Sequence, residues 1–192
     1  MVYLCNNNNA IDKAVSILDS GGIIIYPTDT LYGFGVDATN SKAIEKLNLL
    51  KNRKEPLSII ISSLSEITKY GKLDNEAKKM CNQIFPGPFT VLIESIDSSL
   101  SPLVHKLSKY TGVRIPNHPF PIQLVKLLGK PIITTSVNKK GQPALNNISD
   151  IEDSFPNIDI FKDKINLSSK GSTIINLALN PYKIIRNGDG VL

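Results

Sequence analysis

Residues 26–35, Tyr-Pro-Thr-Asp-Thr-Leu-Tyr-Gly-Phe-Gly, place three short oxygen-bearing side chains, Thr28, Asp29 and Thr30, directly behind the apolar run Ile23 to Tyr26. Pro27 ends that run, since it cannot donate a ladder hydrogen bond and fixes its own φ. Gly33 and Gly35 then let the backbone turn tightly or approach a ligand. A strand end that delivers hydroxyls and a carboxylate is a usual place for a small-molecule site in an α/β sheet. The plainer reading is a polar turn between two strands. The pattern recurs, however. Pro131-Ile-Ile-Thr-Thr-Ser-Val-Asn138 runs from apolar residues into Thr134, Ser136 and Asn138. Gly171-Ser-Thr-Ile-Ile-Asn176 begins a strand with the hydroxyls of Ser172 and Thr173, and Lys183 to Gly188 reads as a strand ending at Arg186.

The cations are unevenly typed. Of 22 Lys and Arg residues only three are arginine: Arg53, Arg114 and Arg186. A chain that fills its general positive positions with Lys uses Arg where the planar, multi-donor guanidinium matters. Lys51 and Arg53, on a loop leading into the next strand, suit phosphate recognition, with Lys as a point charge and Arg as a fork. A solvated cationic helix end is the plainer alternative. Arg114 sits in the apolar strand Gly112-Val-Arg-Ile-Pro116. A buried Arg must be paired, and both an internal carboxylate and a ligand carboxylate fit.

The elements that must position these groups alternate helix and strand. Asn9 is expected to cap a helix carrying Ile11, Ala14, Val15 and Leu18, ended by Gly21-Gly22. Leu31 to Val36 reads as extended. Ser41 or Asn40 caps a helix with Ile44, Leu47 and Leu50 on its apolar face, and Leu57 to Ile61 is a strand. Ala77, Met80, Cys81 and Ile84 mark a third helix, stopped by Phe85-Pro-Gly-Pro-Phe-Thr90 before a strand from Val91 to Glu94. Residues 97–111 read as a loop with a short helix. His118 and Pro119 open a helix bearing Ile122, Val125 and Leu128, closed by Gly129. Neither His105 nor His118 has metal-ligand company, so both are expected to be structural or surface residues.

Length favours one domain spanning 1–192. A hydrophobic content of 41% and a charged content of 20% fit an ordinary globular chain. No apolar run approaches the roughly 20 residues of a membrane span, and the amino terminus lacks the basic start and apolar core of a signal peptide. Cys5 and Cys81 have no metal-ligand spacing and suit a reducing cytoplasm. A net charge of +5 and a pI near 9.1 favour anionic partners such as nucleotides, pyrophosphate or RNA.

Seven segments in register resemble the threonylcarbamoyl-AMP synthase family with its YrdC-like domain. They are Tyr26 to Gly33, Lys51-Asn-Arg53, Pro86 to Thr90, Val113 to Pro116, Thr135 to Asn138, Ser172-Thr173 and Ile185 to Gly188. The resemblance implies a twisted, open α/β fold with a mixed sheet and flanking helices around a deep concave site. It implies that L-threonine, bicarbonate or CO2 and ATP give threonylcarbamoyl-adenylate and pyrophosphate, for threonylcarbamoyladenosine modification of tRNA through a separate transferase. It assigns Lys51 and Arg53 to catalysis and phosphate contact, and Thr30, Arg114, Thr134 and Ser172 to threonine. Ser136, Asn138, Arg186 and Thr90 join Lys51 and Arg53 around ATP. Mg²⁺ is expected to travel with ATP, and no protein metal site is expected. tRNA itself is a further candidate partner.

The chain departs from the family pattern in three places. The segment between Arg53 and the Pro56-Leu57 pair is short, Ile60 stands where some relatives have histidine, and Val137 replaces the usual alanine, which is expected to add bulk beside the nucleotide. Two other readings compete. A YrdC-like RNA-binding module without synthase activity fits the basic charge and would bind in a strongly salt-dependent way; six Tyr, six Phe and no Trp make it a poor single-strand platform. A carbamoyl-adenylate enzyme serving metallocentre assembly is the third, disfavoured because such domains usually sit in much larger proteins.

Overall fold

The computed structural model describes residues 1–7, 9–106 and 108–192. In chain order the elements are β1 (Val2–Leu4), α1 (Ala10–Asp19), β2 (Ile24–Tyr26), β3 (Gly33–Gly35), α2 (Ser41–Lys51), β4 (Ser58–Ile60), a 3₁₀ helix (Leu64–Lys69) and β5 (Gly71–Lys72). They continue with α3 (Asn75–Ile84), β6 (Phe89–Ser95), α4 (Pro102–His105), β7 (Tyr110–Arg114), α5 (Pro119–Leu128), β8 (Ile132–Ser136), α6 (Ile148–Ser154), β9 (Asp159–Lys162), β10 (Thr173–Asn176) and β11 (Lys183–Arg186). The strands form one mixed, twisted open sheet in the order β1-β9-β2-β3-β8-β4-β7-β6-β10-β11, with β5 added on β6.

Local chemistry accounts for most of the helix ends. Asn40 Oδ1 accepts from Ala43 N, Asp74 Oδ1 from Ala77 N, and His118 Nδ1 from Phe120 N. Asn9 is the exception. It occupies the N-cap position of α1, but with φ −100° and ψ 1° it is outside the extended region, and its side chain makes no capping bond. Apart from Leu107, which lies outside the described residues, the stretch 97–111 resolves into α4 and the start of β7. The sequence reading had no place for β1, β5, α6 or β9. These are short, and β1 and β9 pair in parallel across about 155 residues of chain, a contact no local pattern announces.

Strand alternation sorts the sheet into two faces. Ile59, Val113, Ile133, Val91, Phe34 and Ile175 face the larger core, with α2 and α3 contributing Ile44, Leu47, Ala77 and Cys81. On the opposite face, Ile24, Tyr26, Ile60 and Ile132 pack against Ala14 and Leu18 of α1 and Leu124 and Leu128 of α5. Ile60, on the family's histidine position, is therefore core. Those two helices cover only part of that face. Ser58, Thr134, Ser136, Arg114, Thr90 and Ile174 share its strand parity, and all six line a cavity. Among the described residues, no helix is long and apolar enough to cross a membrane.

The β2–β3 hairpin carries the Thr28–Thr30 turn, and its register holds Tyr26 opposite Gly33 and Ile24 opposite Gly35. The Tyr26 ring, wholly buried, lies across Gly35, where a Cβ would stand 2.7 Å from a ring carbon. Gly35→Ala is expected to destabilise the protein by about 1–3 kcal/mol through overpacking. In thermal unfolding this corresponds to a Tm drop of very roughly 2–12 °C for a domain of this size; an unchanged Tm would contradict this packing.

Candidate functional site

The cavity has a volume of about 390 Å³, within the range of small-molecule sites. Its lining comes from the β2–β3 turn, the segment after α2, β8 and its following loop, β6, β7, and the chain on either side of β10 and β11. Thr30, Arg53, Thr90, Arg114, Thr134, Ser136, Asn138, Ser172 and Arg186 all line it. They lie up to 156 positions apart in sequence and are brought together by the central strand pairings. No Asp or Glu is among the lining residues.

Arg114, 7% exposed, is held from below. Its Nη2 donates to Asp29 Oδ1 at 2.7 Å and to Thr30 Oγ1 at 3.1 Å. The partner left open by the sequence is thus the internal carboxylate of the turn. Asp29 is fully engaged, since its Oδ2 accepts from Asn117 N at 3.0 Å. Thr28 Oγ1 donates to Leu31 O and accepts from Thr30 N, which fixes the turn that aims Asp29. Arg114 Nε is buried and has no hydrogen-bond partner. Thr28 and Asp29 belong to this floor but not to the site residues expected from the sequence, although the Thr-Asp-Thr cluster pointed to both.

The other two arginines are also tied by neutral oxygens. Arg53 donates from Nη1 to Thr135 Oγ1 at 2.7 Å and from Nη2 to Pro56 O at 2.9 Å, with Glu55 3.7 Å from its Nε. Burial pulls its pKa down, and Glu55 partly restores it. Arg186 donates from Nη2 and Nε to Ser172 O, and from Nη2 to Ser172 Oγ. Burial, and then the Arg114 cation, depress its pKa. Thr90 and Ser172 share a 2.7 Å hydroxyl contact.

Two expectations are corrected here. Lys51 is not on a loop: it is the last residue of α2, 3% exposed, and it does not line the cavity. Its Nζ donates to the backbone oxygens of Ser136 and Asn138 and to Asn138 Oδ1, and it lies 5.2 Å from the centre of the Phe34 ring. Burial, with Arg53 adding to it, brings its pKa down to about 7. Val137 adds no bulk to the cavity either. Being one residue out of phase with Ser136, it turns into the larger core and is wholly buried. His118 caps α5, and His105 Nε2 meets Thr111 Oγ1 at 2.8 Å; neither lines the cavity. Among the described residues no group of three or more His, Cys, Asp or Glu is placed to hold a metal ion.

A cavity lined by three arginines and several hydroxyls, with no lining carboxylate, is chemically suited to anions. Known proteins share this architecture. The family model Sua5_yciO_yrdC, described as "Telomere recombination", matches residues 16–188. The putative threonylcarbamoyl-AMP synthase of Methanocaldococcus jannaschii is 35% identical over 176 residues, covering 88% of this chain and 81% of that protein. The threonylcarbamoyl-AMP synthase of Mus musculus is 28% identical over 189 residues, covering 93% of this chain and 67% of its own length. The crystal structure of P. abyssi Sua5 complexed with L-threonine superposes with a TM-score of 0.89 at 23% identity, over 98% of this chain; the chain spans 57% of that longer protein. On the extent of the family match and the 35% identity to a relative covered almost throughout, the chain belongs to the Sua5/YciO/YrdC family.

Proposed function

We propose that the cavity makes L-threonylcarbamoyladenylate and pyrophosphate from L-threonine, bicarbonate or CO2 and ATP, a nucleotidyl transfer. The observation that carries this reading is the convergence of Arg53, Arg114 and Arg186 with a wall of Thr and Ser hydroxyls and no lining carboxylate. The names borne by the relatives favour it over an RNA-binding module, which would need neither the enclosed floor nor the hydroxyls. Residues 1–192 are read as one domain, acting in the cytoplasm and supplying a separate threonylcarbamoyl transferase that modifies tRNA.

In this reading the threonine amine captures CO2 as a carbamate. A carbamate oxygen then attacks the α-phosphorus in line, and the bond to the β-phosphate oxygen breaks to release pyrophosphate. The protein's task is positioning and charge stabilisation rather than covalent catalysis. Thr30, Arg114, Thr134 and Ser172 hold threonine, with the cavity-lining guanidinium of Arg114 set to meet its carboxylate. Arg53 meets the phosphates, while Thr90, Ser136, Asn138 and Arg186 contact the nucleotide. Lys51 acts through Ser136 and Asn138, whose oxygens it gathers. Mg²⁺ is read as arriving on the phosphate oxygens of ATP.

The direct test is pyrophosphate release from ATP and bicarbonate, with L-threonine, L-serine or neither. Release is expected with threonine, and about 10-fold or more less efficiently with serine, which lacks one methyl group. Threonine-independent release, or none, would overturn the reading. Arg114→Ala is expected to lower threonine-dependent turnover by at least about 100-fold and to leave salt-sensitive RNA binding nearly intact; an equal fall in both would remove Arg114 from the enzyme site.

The pH dependence of stability tests the role given to Lys51. With its native pKa near 7 and an unfolded value near the ordinary ~10.4, the unfolded chain binds the extra proton between those limits. Stability conferred through Lys51 therefore rises with pH across roughly pH 7 to 10. Urea titrations should show the gap between wild type and Lys51→Met widening from pH 6.5 to pH 9.5; a gap independent of pH would refute it.

A further inference from the structure

Lys170 lines the cavity beside Ser172 and Arg186, and the family resemblance gives it no role. It is exposed, whereas Arg114 and Thr30 are 7% and 0% exposed. Among the described residues it forms no ion pair. Its placement is nevertheless fixed through the backbone. Lys170 N donates to Asp189 Oδ1 at 2.8 Å, and Ser169 Oγ donates to Asp189 Oδ2. Asp189 N returns a bond to Gly171 O at 2.8 Å. Thr173 Oγ1 accepts from Gly188 N and donates to Gly190 O. Gly171, at φ +84°, turns the chain sharply between Lys170 and Ser172. Gly188 lies so close that a Cβ there would collide with the Gly171 carbonyl. An exposed loop lysine is thus set at the rim by five hydrogen bonds that involve none of its own side-chain atoms.

We infer that Lys170 is a binding residue for the polyphosphate of the nucleotide, positioned by Asp189. This deepens the proposed function and rests on it for the identity of the ligand. The depth of the site decides which anion Lys170 meets. A small amino acid is held at the buried floor, where Arg114 and Thr30 lie. The triphosphate carries more charge and more length, so it reaches the rim. A lysine there is a mobile point charge, suited to phosphate oxygens whose position shifts as pyrophosphate departs. Lys170 lines the same cavity without an ion pair among the described residues, and it supplements Arg53 rather than replacing it.

The test uses the full chain and two readouts. Calorimetric titration with inorganic tripolyphosphate and with L-threonine reads binding without turnover. Steady-state pyrophosphate release reads KM for ATP and for threonine. Lys170→Ala is expected to weaken tripolyphosphate binding and raise KM for ATP by about three- to fivefold, the upper scale of one exposed charge contact. Threonine binding and KM for threonine should stay within twofold, and Lys170→Arg should recover most of the loss. Asp189→Ala should weaken tripolyphosphate binding only while Lys170 is present, so the double variant should add little to Lys170→Ala. Additive losses would refute the positioning role of Asp189. Unchanged tripolyphosphate affinity and KM for ATP in Lys170→Ala, with threonine-dependent turnover in the wild type, would overturn the inference and leave the proposed function standing. Weakened tripolyphosphate binding without any threonine-dependent turnover in the wild type would keep the rim site and overturn the proposed reaction. A wild type that binds no tripolyphosphate would overturn the inference outright.

Discussion

A guanidinium taken out of water has to be paired, and Arg114 at the end of β7 imposes that demand on the whole centre of the molecule. The carboxylate it needs is Asp29, 85 positions earlier, on a turn that exists because Pro27 stops β2 and Thr28 folds the chain back on itself. The pair therefore fixes the turn against β7, and Asn117 N fixes it against the start of α5. Removing one partner of such a pair leaves a buried charge uncompensated, at a cost of about 3–5 kcal/mol. The turn after β2 and the end of β7, separated in the sheet by β3, β8 and β4, are joined directly by this contact. That arrangement is the cavity floor.

The rest of the cavity is organised around the charge that remains. Asp29 pairs with Arg114 through Nη2 and leaves its Nε buried without an acceptor. Arg53 and Arg186 donate chiefly to hydroxyl and carbonyl oxygens, which orient a guanidinium without discharging it. Burial and mutual repulsion already press on Arg186. An anion placed between these cations would relieve that repulsion.

The residues that line the cavity were more legible in the sequence than the outer strands of the sheet. The hydroxyl clusters stood out because each follows an apolar run, and the three arginines stood out against a background of lysine. Ser58, Thr134 and Ser136 then fell on one face through the strict period of two in a strand. The same period explains why Val137 was misplaced: it was judged by its distance along the chain from Ser136 rather than by its phase. Lys51 reads from the sequence as a phosphate-contacting or solvated cation, because nothing local says that the oxygens of Ser136 and Asn138 will surround it. Strands β1 and β9 escaped notice for the reason long-range parallel pairs usually do, since three or four residues carry no periodicity. Asp189 was silent too, being one exposed-looking acid in a glycine-rich tail.

Strand β11 is exposed at all four of its residues, and it forms the edge of the sheet. It buries little apolar surface, so detaching it costs far less free energy than unfolding either core. Yet it carries Arg186 and leads directly into the segment that grips Gly171 and Thr173. One wall of the cavity is thus hung on an exposed edge strand. A substitution that loosens this edge therefore disturbs the cavity wall before it disturbs either core.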